Sequence, residues 1–80
     1  MADAPRMVTL ATGEVVSTSS RQWRDECFAR WQRVVRMRDM DIHARRALLA
    51  KVEADEGGMA RTRLEDEFTK DWKARKGATA

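Results

Sequence analysis

The 80-residue sequence has one cysteine, one histidine, one proline and no tyrosine. A lone thiol, Cys27, cannot close a disulfide within the chain. The framework of small secreted domains is therefore excluded, and a reducing cytoplasm is the expected location. With His43 as the single histidine, a structural zinc site is excluded unless subunits share it. No apolar run approaches the roughly 18–20 residues that cross a bilayer, and the opening MADAPRMVTLATG lacks the apolar segment of a signal peptide. A soluble protein without membrane contact is expected. Also absent are a GxSxG elbow, an HExxH helix and a phosphate-binding glycine loop.

Present instead are three Trp, two Phe and five Met, and a charge of +3 from 16 basic and 13 acidic side chains. A single domain this short buries only about 60–65 % of the surface its unfolded chain exposes, so its core must be dense in large side chains. Residues 1–6 are expected to be a loose terminus and residues 77–80 a loose tail. Between them, 7–76 make one small domain.

Two short β-prone runs, 7–10 and 14–17, flank a turn containing Gly13 and predict a hairpin. An isolated hairpin is marginal in water, so it must rest on an apolar surface. That surface is SSRQWRDECFARWQR. Ser19 with Gln22 matches a capping box and predicts a helix over about 20–38. At 100° per residue, Trp23, Cys27, Phe28, Trp31, Val34 and Val35 share a sector covering about half the circumference. Asp25, Glu26, Arg30, Gln32, Arg33 and Arg36 lie opposite, with Glu26 and Arg30 four apart. Arg24 alone projects into the apolar sector.

Asp39 or Asp41 can cap a second helix over about 42–55, with Ile42, Leu48, Leu49 and Val52 at helical spacing. Gly57 and Gly58 end it, and a third helix over about 59–76 carries Ala60, Leu64, Phe68 and Trp72 as a narrow stripe. One helix kinked at the glycine pair is the alternative. The expected fold is α+β and mostly α, a short N-terminal hairpin packed on three helices. Its expected core is Val15, Trp23, Cys27, Trp31, Val34, Leu49, Val52, Leu64, Phe68 and Trp72.

Chemistry finds little footing. Asp39, Asp41 and His43 alternate in DMDIH and would point one way in an extended strand, but the aspartates serve better as helix caps. No metal or other cofactor is expected. Cys27 sits in the apolar sector, where cysteine acts as a small hydrophobe, and Glu65, Asp66 and Glu67 point about 100° apart on a helix rather than converging. The expectation is a non-enzymatic protein.

Binding has more support. Residues 21–38 hold six arginines against two acidic groups, and Arg30, Arg33 and Arg36 share the polar side, where phosphates could be met. This makes nonspecific nucleic-acid binding the alternative function. Against it, the third helix carries Glu65, Asp66, Glu67 and Asp71, and a solvated charged face is the plainer reading. The first helix's apolar face is wider than a hairpin and two narrow helices readily cover, which favours a protein partner or a second copy. Arg24, Arg30, Arg33 and Arg36 are the candidate interaction residues.

The segments TGEVVSTSSRQWRDECFAR and RRALLAKVEADEGG, with RLEDE, resemble a group of short proteins encoded by tailed bacteriophages and prophages of proteobacteria. That group shows a GEVV-like strand, a Trp-Arg-x-Glu-Cys helix start and an Arg…Leu-x-x-Val-Glu helix ended by glycine. The matching positions are Gly13, Glu14, Val15, Val16, Trp23, Arg24, Glu26, Cys27, Ala29, Arg30, Leu49, Val52, Glu53, Gly57, Arg63, Leu64 and Glu67, spanning about residues 12–67. Phe28, Trp31 and the RVVRMRDMDI connection depart from the pattern. The resemblance implies a phage or prophage accessory protein in the bacterial cytoplasm, binding and modulating or inhibiting a host protein or defence complex. It brings no activity with it, so no catalytic or binding residue is carried over.

Overall fold

The computed structural model describes residues 6–78. Strands β1 (Met7–Thr9) and β2 (Val15–Ser17) are followed by helices α1 (Arg21–Met37), α2 (Ile42–Glu56) and α3 (Gly58–Ala78). Among the described residues helix outweighs strand by 72 % to 8 %, which makes the class α+β and mostly α. Residues 1–5 and 79–80 of the two expected loose ends lie outside the described residues. Gly77 and Ala78, expected in the tail, continue α3. Arg6 is tied into the hairpin, its carbonyl accepting from Thr18 N–H at 2.7 Å.

The strands pair antiparallel with Val8 opposite Val16 and Thr9 opposite Val15. Their turn is closed by Gly13 N–H donating to the Leu10 carbonyl at 2.8 Å, and Gly13 takes a φ of 94°, a value that suits glycine. Side chains alternate between the two faces of a strand, so only one of two adjacent valines can turn inward. Val16 is buried and Val15 is 58 % exposed, so the expected core position is displaced by one residue. Leu10 is buried as well.

Ser20, in extended conformation, caps α1 by accepting from Trp23 N–H at 3.2 Å. The expected Ser19 cap is displaced because the Ser19 hydroxyl lies 2.9 Å from that of Ser17. Asp41 caps α2 by accepting from Ala44 N–H at 2.8 Å. Gly57, at a φ of 98°, separates α2 from α3, so the two are distinct helices rather than one kinked rod. They fold back on each other, as contacts between Glu53 and Arg61 and between Arg45 and Phe68 mark.

The core seam is Val34 and Met37 of α1, Val52 of α2, and Ala60 and Leu64 of α3, with Leu48, Leu49 and Phe68 packed at its edge. Full burial of a side chain such as Val34 or Leu64 contributes about 1.5–3 kcal/mol each. The molecule is a slab of 40 × 34 × 15 Å with a radius of gyration of 14.3 Å. A compact chain of this length would have a radius of about 12 Å, and a helix with its side chains is about 10–12 Å across. Each helix therefore keeps a broad face in solvent.

That thinness corrects four more expectations. Trp31 is 42 % and Trp72 48 % exposed, so neither is core, while Trp23 and Cys27 are half-buried outside the central seam. Among the expected core residues Val34, Val52 and Leu64 are fully enclosed. Met37 and Ala60 take the remaining places in the seam.

Candidate interaction surface

The decisive feature is how α1 is turned. Its buried side runs through Met37, Val34, Trp23, Arg30 and Glu26, roughly a quarter turn from the sector that hydrophobicity alone selects. Phe28, Trp31 and Val35 consequently face solvent, 62 %, 42 % and 39 % exposed. Recurring at three- and four-residue intervals, they form one stripe along two turns. With Arg36 they line an open groove of about 570 Å³.

Charged side chains bind the other side of α1 to the rest of the molecule. Arg30, only 11 % exposed, donates from Nε to Glu67 at 2.9 Å and from Nη1 to Glu26 at 3.4 Å. Glu26 also accepts from Arg63 at 2.8 Å and from Ala11 N–H at 2.7 Å, so one carboxylate joins the hairpin turn, α1 and α3. Arg33 donates from both terminal nitrogens to the Glu56 carboxylate at the end of α2. Arg38 makes a two-pronged contact with Asp71 at 2.6 and 3.0 Å, and Arg75 reaches the same carboxylate at 3.0 Å. The bond from Arg38 holds the Asp71 carboxyl below its ordinary range. Such paired, charge-assisted bonds fix geometry as well as adding energy.

The aromatic rings carry guanidinium groups. Arg30 and Arg63 sit over Trp23 at 5.6 and 5.4 Å, and Arg38 over Trp31 at 5.1 Å. Arg45 covers Phe68 at 5.1 Å and Trp72 at 5.9 Å, with Arg75 also over Trp72 at 5.9 Å. Phe68 and Trp72 touch at 6.2 Å between ring centres. Phe28 is the exception, with neither a cation nor another ring against it among the described residues.

The four candidate arginines separate into two kinds. Arg30 and Arg33 are internal braces rather than members of an open basic face. Arg24 and Arg36 are exposed, and their side chains make no hydrogen bond, ion pair or ring contact among the described residues. Glu53 on α2 pairs with Arg61 at 2.6 Å and not with Arg24. Arg24 was the available signal in the sequence: a charge within the apolar sector marks that sector as the wet one.

The remaining chemical candidates disperse. Asp41 is occupied as a helix cap, and among the described residues no three His, Cys, Asp or Glu side chains gather as a metal set. Burial pushes the Cys27 thiol up, Arg30 opposing, and its polar neighbour is the Arg30 guanidinium at 3.5 Å. Glu65 pairs with Arg61 and Glu67 with Arg30, while Asp66 is exposed. No described helix is long and apolar enough to cross a membrane. No family model, curated protein or solved structure matches this chain.

Proposed function

We propose that this chain is a non-enzymatic protein-interaction module whose contact surface is the outward stripe of α1. The observation that carries the reading is the quarter-turn rotation of that helix. Arginines and a glutamate are turned inward and matched by ion pairs, while a phenylalanine, a tryptophan and a valine are left in water. A local departure from the hydrophobic rule, stabilised elsewhere in the fold, is what a functional surface looks like. Phe28 is the anchor, because a large ring without a cation or ring partner among the described residues gains most from being covered.

The resemblance to phage and prophage proteins supports the bacterial cytoplasm as the setting, and a host protein or defence complex as the target to be modulated. Nucleic acid is the weaker reading. Two of its three required arginines already hold carboxylates, and four of the five aromatic rings carry guanidinium groups instead of being free to stack on bases. A tagged pull-down from bacterial lysate after nuclease treatment tests the choice. Near-stoichiometric retention of a protein by the native chain, lost in Phe28→Asp, is expected; retention abolished by nuclease alone would overturn it.

A further inference from the structure

Resting on the reading of the α1 stripe as a contact surface, we propose that its occupant is an acid-flanked amphipathic helix of another protein, its apolar side chains on the stripe and a carboxylate against each of Arg24 and Arg36. On a helix surface, residues four apart stand in one inclined row. Arg24, Phe28, Gln32 and Arg36 are such a row, and all four are exposed. Trp31 and Val35 belong to the next row, and the open groove of about 570 Å³ is lined by members of both. Arg24 lies one turn beyond the Phe28 end of that groove. Two rows with a groove between them are what the side-chain row of another helix packs into.

Charge selects the sign of that helix. Arg30 and Arg33 hold carboxylates of α3 and α2, and Arg21 leans on Asp25 at 3.8 Å. Arg24 and Arg36 are the two arginines of α1 whose side chains hold none among the described residues. They end the Phe28 row on opposite sides, about 18 Å apart along the helix axis. Free cations at both ends of an apolar centre match a helix of the pattern acid-x-x-x-apolar-x-x-x-apolar-x-x-x-acid, which forms one row of the same length. A basic helix would set like charges against both ends. A bilayer surface is flat and brings no ridge into the groove, and a phosphate backbone would answer the cations while leaving Phe28, Trp31 and Val35 uncovered.

Area and exposure set the strength. A standard interface covers about 800 Å² per partner, more than one short helix lays on another, so the isolated contact is weak and falls further as salt screens the two arginines.

The probe is a capped, alanine-based helical peptide of about 20 residues carrying Glu, Leu, Leu and Glu at successive four-residue intervals, with a twin in which Lys replaces both Glu. Each is titrated into the isotope-labelled full chain and followed by amide and indole NMR shifts, with phosphatidylglycerol vesicles and a DNA duplex as parallel titrants. We expect the Glu peptide to shift Phe28, Gln32, Arg36 and the Trp31 indole saturably, and the Lys twin to bind about tenfold more weakly. The double variant Arg24→Glu with Arg36→Glu should reverse that preference, and because both positions are exposed its melting should stay near native. Absence of shifts along this row, shifts centred elsewhere, an equal response to the two peptides, or a saturable response to vesicles or duplex alone overturns the acidic helix as occupant. If the Glu peptide fails while a lysate protein is still retained through Phe28, the contact-surface reading survives with a different occupant. If the chain binds neither, both fall.

Discussion

Replacing Arg30 with alanine separates an arginine that braces the fold from one that awaits a ligand. Arg30 donates to Glu67 and Glu26 and stacks over Trp23, while its own side chain is almost wholly covered. A hydrogen bond to a charged group contributes about 1.5–3 kcal/mol, and a stacked guanidinium about 0.5–1 kcal/mol or more when desolvated. Two features reduce the sum. Glu67 is 38 % exposed, so water screens that pair, and Glu26 retains Arg63 and Ala11 N–H when Arg30 is gone. The net cost is then about 2 kcal/mol. For a domain of this length each kcal/mol moves the melting temperature by about 4–8 °C, so Arg30→Ala should melt about 8–16 °C lower. Circular dichroism melts, with urea titration as a second measure, read this directly. Arg36→Ala is the internal control and should change stability by less than about 0.5 kcal/mol. An Arg30→Ala chain that melts with the native protein would refute the brace, and the quarter-turn rotation of α1 with it.

Leu64→Ala should cost about 2–5 kcal/mol, as a fully buried leucine of the seam. Trp31→Ala should cost clearly less, and equal losses in urea titration would place Trp31 in the core after all. Acid should weaken the α1–α3 contact. The Asp71 carboxyl is lowered from its ordinary 3.8 in the fold by the bond from Arg38, so its stabilisation is present above that value and lost as pH falls through the lowered one. Asp71→Asn should therefore show a shallower loss of stability on acidification than the native chain. Cys27 should react slowly with a thiol reagent in the folded state and at the free-thiol rate in denaturant, because burial disfavours its thiolate. Rapid labelling of the native protein would contradict the burial.

The features legible in the sequence are those set by local rules. Gly13 announced the turn, Asp41 was one of two expected caps, and Gly57 ended α2. Val34, Val52 and Leu64 could be found from helical spacing, since small and branched apolar residues on every helix point to one seam. The rotation of α1 could not be read that way. Spacing assigns a side chain to a sector, but which sector turns inward depends on partners far along the chain. Glu56 and Glu67 lie 23 and 37 residues from the arginines they receive. No window along α1 contains them, so Arg30 and Arg33 read as a solvated back. The parity of Val15 and Val16 failed for a related reason: two adjacent valines are equivalent in composition, and only the strand register distinguishes them.

A thin slab raises a problem of its own, which the arginines solve. With one seam of core and 15 Å of depth, large aromatic side chains cannot all be enclosed. Six guanidinium–ring contacts occur within the described residues, where about one per 70–80 residues is usual. A guanidinium laid on a ring covers apolar surface while keeping its own edge hydrated or paired, so Trp23, Trp31, Phe68 and Trp72 are sheltered without a thicker core. Phe28 lies on the same helix as seven of the chain's charged groups, yet receives no such cover. Arg24, one turn before it, points into solvent instead of onto the ring. Among the described residues four of the five rings are sheltered in this way and the fifth opens an exposed stripe, which supports the proposal that this face is kept for another molecule.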